Sequence, residues 1–162
     1  MTVAYGIYSM IRQAAQTLPA QTSPVVETPM AAKPVAPETA YASVRELGEQ
    51  MARPHGLTAV DLVNFLQERI RTLDPQLCSV IELNPEALEV ARELDRERAS
   101  GKVRGPLHGV PILLKDTIET TGMQTSAGAF GLVGAAAGKN AALVDYLIQQ
   151  AVSYTHLRAH ET

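Results

Sequence analysis

The chain holds one cysteine, no tryptophan and an aromatic share of only 4% in 162 residues. A lone Cys78 excludes an intramolecular disulfide and a thiolate metal cluster, and its neighbours Leu77 and Val80 mark it as a core thiol rather than a nucleophile. Positive charge is not in excess: 14 Lys and Arg against 17 Asp and Glu leave a net charge of -3. Without a basic field or aromatic residues interleaved with basic ones, no nucleic-acid partner is expected. No apolar run is long enough to cross a bilayer as a helix. Gly128, Gly131, Gly134 and Gly138 lack the spacing of a dinucleotide or Walker loop, so no phosphate-bearing cofactor is implied.

The 46% hydrophobic content is ordinary for a globular protein, and the length suits one domain. Val3 to Ile11 is apolar but has no basic residues ahead of it, and Leu18-Pro19-Ala20-Gln21 is a poor cleavage site. A cytoplasmic location is therefore expected, with secretion or a periplasmic location as the lesser reading. Prolines at 19, 24, 29, 34 and 37 describe an extended linker, so residues 1–40 read as a leader and Pro-rich linker without packed structure.

Organised sequence starts near Tyr41. Ser43 with Glu46, and Thr58 with Asp61, are capping-box spacings that predict two helix starts. The first helix carries Val44, Leu47 and Met51 on one face and ends before Pro54. His55-Gly56 makes a turn. The second helix carries Leu62, Val63, Leu66, Ile70 and Leu73 as a stripe opposite Asp61, Asn64, Gln67, Glu68 and Arg71, and Pro75 stops it. Cys78 to Leu83 reads as a strand, and Asn84-Pro85 as N-cap and first residue of a third helix. There Ala87, Leu88, Ala91 and Leu94 face inward, while the charges from Glu86 to Arg98 form a solvated face with Glu93–Arg96 and Asp95–Arg98 pairs. Asn140 is placed to cap a last helix bearing Ala141, Val144, Tyr146, Leu147 and Ile148. Helices alternating with strands imply an α/β domain, whose polar chemistry gathers at strand ends.

Gly105-Pro106-Leu107-His108-Gly109-Val110-Pro111-Ile112-Leu113-Leu114-Lys115-Asp116 concentrates the chemistry. An apolar, partly β-branched run delivers Lys115 at its end, where loss of water favours a neutral amine, and a neutral amine is a base. A free lysine titrates near 10.4, so base work at pH 7 needs about 4 kcal/mol of preference for the neutral form, which burial must supply. Asp116 would oppose this from the same pocket, but consecutive strand residues point to opposite faces. His108 reads as a hydrogen-bonded turn residue. Thr125 and Ser126 are nearby hydroxyls, expected to line a pocket or form a turn.

This twelve-residue run resembles the amidase signature family. Val80 to Leu88 and Leu94 to Arg98 look like that family's lead-in, and Thr125-Ser126-Ala127-Gly128 like its small-residue turn, so the resemblance covers about Tyr41 to Ala151. It implies the N-terminal part of an α/β/α sandwich with a mixed central sheet, and a Ser-cisSer-Lys triad in which Lys115 matches the lysine. The implied activity is hydrolysis of a small-molecule carboxylic amide to acid plus ammonia or amine, without cofactor or metal.

The family draws its two serines from a later glycine- and serine-rich segment. The 162 residues contain no such stretch, so this piece is expected to be inactive alone. Residues 41–151 are read as the N-terminal portion of the amidase domain. Val152 to Thr162 departs from the pattern and resembles one translated frame of a sequencing-library adapter, so 152–162 is read as an artefactual tail. Its His156 and His160 lack a third ligand for a metal. The alternatives are an A subunit of a tRNA-dependent amidotransferase, which needs partner subunits, and a non-catalytic α/β binding fragment. An imine-forming lysine enzyme is not supported by any phosphate loop.

Overall fold

A computed structural model describes residues 34–151 and the backbone of 153–157. The expectations for residues 1–33, for Val152 and for 158–162 lie outside the described residues. Where an extended linker was expected, Pro37–Tyr41 forms a short 3-10 helix, with a proline in its first turn. Four α-helices follow: α1 (Val44–Ala52), α2 (Ala59–Leu77), α3 (Ala87–Ala99) and α4 (Ala142–Gln149). Strands β1 (Pro111–Lys115) and β2 (Ser153–Leu157) pair in parallel, from Pro111 with Ser153 to Lys115 with Leu157. Parallel strands need a crossover, and the connection between them carries α4. The chain is α/β, and β2 falls within the segment that the sequence reading set apart as a tail.

Both capping boxes form. Glu46 N–H donates to Ser43 Oγ and Ser43 N–H to Glu46 Oε2; Asp61 N–H donates to Thr58 Oγ1 and Thr58 N–H to Asp61 Oδ2. The second box buries Asp61, which the amphipathic pattern had placed on the polar face. Two apolar clusters then join the helices. Leu47 and Met51 of α1 meet Leu62 of α2 and Val110, the residue just before β1. Ala59 and Val63 of α2 meet Ala87 and Ala91 of α3, where small side chains let the two helices approach closely.

Pro75 does not stop α2. It lies in the last turn, where its missing N–H costs one bond and the helix needs only two more residues. Cys78 ends the helix in the left-handed region at φ 51° and is half-buried, so it is a cap rather than a core thiol. Nor is 78–83 a strand. Asp74 is buried and accepts from Ser79 N–H, Ser79 Oγ–H and Val80 N–H, turning the chain away as an extended connection with a bridge only at Glu82. A short buried apolar run looks alike in both cases. Asn84 Oδ1 accepts from Glu86 N–H, making a turn that starts α3 at Ala87, two residues later than Pro85 suggested.

The C-terminal half of α2 and β1 border an apolar groove of about 280 Å3, lined by Leu66, Ile70, Leu73, Leu77, Val80 and Leu113. Leu73 and Leu77 stand exposed on it. No helix among the described residues is long and apolar enough to cross a membrane.

Candidate active site

The approach to β1 is a loop held by α3. His108 is 1% exposed. Its Nδ1 accepts from Arg104 N–H at 3.3 Å, which assigns the ring proton to Nε2, 2.9 Å from the Leu94 carbonyl. Arg98 donates to the His108 carbonyl at 2.7 Å. His108 is thus a buried clip between loop and helix, as the turn reading had it. Gly109 sits at φ +80°, and a Cβ there would stand 3.1 Å from Ala59 Cβ, so glycine lets the loop pass close over the start of α2.

The charged face of α3 is less uniform than its sequence suggested. Glu93 and Arg96 pair at 2.7 Å on the surface. Asp95 does not pair with Arg98; it reaches across to α2 and accepts from Ala59 N–H at 2.8 Å and Val60 N–H at 3.0 Å. Glu97 is buried rather than solvated. Hydrogen bonds from Arg104 and then Lys102 hold its carboxyl down at about 2. Helical periodicity places Asp95 and Glu97 on the outer face with Glu93, and only the tertiary return of α2 and of the 101–108 loop gives those two their partners.

From this frame β1 runs to the predicted lysine. Leu114 is 4% exposed, Lys115 is exposed, and Asp116 is 3% exposed, so the pleat continues one residue past the strand. Lys115 and Asp116 therefore leave the chain on opposite sides, as expected. Burial of Lys115 is not found. It shares a face with Leu113, itself 47% exposed where it lines the groove beside α2.

Asp116 is the best-held side chain of the region. Its Oδ1 accepts from Ser126 N–H at 2.9 Å, and its Oδ2 from Ser126 Oγ–H at 2.5 Å and Gly128 N–H at 3.1 Å. Its own carbonyl accepts from Ala127 N–H at 3.3 Å. Ser126 is wholly buried and forms a turn with Ala127 at φ 47° and Gly128 at φ 74°. Beside this turn, burial pushes Glu82 above the usual carboxylate value; the Gln124 N–H it accepts works against that rise and the charge of Asp116 adds to it.

Asn140 does not cap α4, whose N-cap is Ala141. It accepts from Thr121 N–H and Oγ–H and donates to Asp145, tying the loop after Asp116 to the helix. Val144 alone of α4's expected apolar residues is fully buried. No group of three metal-ligating side chains occurs among the described residues.

Comparison with known proteins gives one consistent result. The sequence model of a family described as Amidase matches residues 61–160. A Schizosaccharomyces pombe protein named "putative amidase" is 38% identical over 107 residues, which cover 65% of this chain and 18% of that protein. The A subunit of a glutamyl-tRNA(Gln) amidotransferase from Chloroflexus aggregans is 40% identical over 93 residues, covering 57% of this chain and 19% of that one. Among solved structures, the native peptide amidase from Stenotrophomonas maltophilia superposes with a TM-score of 0.69 at 41% identity, covering 74% of this chain and 25% of the other. The chain thus spans about a fifth of the length of the curated relatives it matches.

Proposed function

The chain belongs to the amidase family, and from that premise we propose that the full-length protein hydrolyses a carboxylic amide, with Lys115 as its base. The observation that carries this reading is the position of Lys115: it ends a parallel strand inside the matched region, with a fixed backbone on both sides. The neutral amine takes a proton, through a bridging serine, from a nucleophilic serine, which attacks the amide carbonyl. Collapse of the adduct expels ammonia or an amine, which carries off a proton, and water then frees the acid from the acyl-enzyme. Both serines belong to a stretch that these 162 residues do not contain, so turnover is a property of the full-length protein.

Likeness to a peptide amidase makes an amidated peptide the first substrate to try. Lys115→Ala in the full-length protein is expected to lower ammonia release at least about 1,000-fold while circular dichroism and melting stay unchanged. Retained turnover refutes the base assignment. A second reading, favoured by the likeness to the A subunit of an amidotransferase, is ammonia delivery to a misacylated tRNA with partner subunits. Glutamine-dependent amidation of glutamyl-tRNA, absent with the protein alone and present with partner subunits, distinguishes it.

A further inference from the structure

We propose that Asp116 is a positioning residue for Lys115, acting through its bonds to the Ser126–Gly128 turn, an inference that rests on the reading of Lys115 as the base. The adjacent residues play opposite parts. Asp116 is buried, and its carboxylate accepts three hydrogen bonds, from Ser126 N–H, Ser126 Oγ–H and Gly128 N–H. All three donors come from one turn, and the Ala127 N–H of that turn also binds the Asp116 carbonyl. The residue after Lys115 is therefore gripped by side chain and main chain together. On the other side, Lys115 is the last residue of the β1–β2 ladder, and its carbonyl accepts from Ile118 N–H at 2.9 Å.

A lysine side chain has four rotatable bonds, and a base must present its amine within hydrogen-bond reach of the proton it takes. A drift of 1 Å at the root of such a chain is enough to cost about 100-fold in rate. Fixing the peptide at 115–116 removes that drift. The same geometry manages charge. A carboxylate next to a base lysine favours the protonated amine, but this one points to the opposite face and meets three donors that stabilise its charge. The turn is demanding, since Ala127 adopts a left-handed conformation that alanine rarely takes. The Asp116 bonds hold it there.

The test uses the full-length protein with an amidated peptide. Asp116→Asn keeps the size and one acceptor, but sets an amide N–H2 against the Gly128 N–H. The expected result is a fall in kcat of about 30- to 100-fold with KM within about threefold, because Asp116 is buried and acts through the turn rather than on the substrate. Ser126→Ala removes one donor of three, and kcat is expected to fall about 3- to 10-fold, again with KM unchanged. If Asp116→Asn does not fold, Ser126→Ala decides alone. Unchanged kcat in a folded Asp116→Asn or, failing that, in Ser126→Ala overturns the proposal, as does a loss carried mainly by KM. Lys115→Ala run beside them separates the two readings: if it keeps activity the base assignment fails, whereas an inactive Lys115→Ala with a fully active Asp116→Asn defeats only the positioning role.

Discussion

Removing the carboxylate of Asp95 should loosen the start of α2 without touching α2 itself. Asp95 stands on α3 and accepts two N–H groups from the first turn of α2, 2.8 and 3.0 Å away. These are among the donors that a helix start leaves without partners. The Thr58–Asp61 box satisfies two others, so Asp95 completes the set. A cap of this kind is worth about 0.5–2 kcal/mol, and a negative charge at a helix start about 0.3–1 kcal/mol. Asp95 is half-buried, so water replaces part of what it gives, and Asp95→Ala should cost about 1–2 kcal/mol locally. Amide hydrogen exchange of Leu62 and Val63 in the full-length protein reads this directly. At about 1.4 kcal/mol per tenfold, exchange should quicken by about 5- to 30-fold. Asp95→Asn keeps one acceptor and should give about a third of the free-energy loss. Rates within about threefold of wild type in Asp95→Ala would show that the α2–α3 contact rests on the apolar cluster alone.

Leu62→Ala should destabilise the protein by about 2–5 kcal/mol, since Leu62 is 1% exposed and fills the space between α1 and Val110; a change below about 1 kcal/mol in urea unfolding would show that this cluster collapses around the void. Acid should weaken the grip of α3 on the loop before β1. Glu97 is held at about 2 in the fold against an ordinary value of 4.5, so its contribution is full above about pH 4.5 and is lost as pH falls toward 2. The melting temperature of Glu97→Gln should therefore converge on that of wild type through this window, and a constant gap would contradict the linkage.

What was legible in the sequence had its cause within a few residues. Both helix starts followed from hydroxyl and acid three residues apart, and the inward residues of α3 from helical spacing. The opposite sides of Lys115 and Asp116 followed from the pleat. What was not legible depended on partners far along the chain. Asp74, near the end of α2, captures Ser79 and Val80 and so turns an expected strand into a connection. Asp95 and Glu97 were indistinguishable in pattern from Glu93, yet lie 35 and 7 residues from their partners Val60 and Arg104. Asn140 had a cap's composition but found Thr121. Composition names the groups able to bond; the fold decides which carbonyl or N–H arrives first.

The site itself divides along the same line. A lysine that works as a base needs a fixed root and a dry head. The described residues give Lys115 the root: α3 clips the loop through His108, Leu62 packs under Val110, β2 sets the register, and the Ser126 turn holds Asp116. The head is exposed, on the same face as Leu113. On the proposed reading of Lys115 as a base, its amine needs a cover that the described residues do not supply, and a cover there would also bury more of the half-exposed Leu113 on the same face. Covering Leu113 and drying Lys115 are then one packing event. A charged residue in place of Leu113 should accordingly lower activity more than the stability of α2 and α3, because those helices are already held to each other without it.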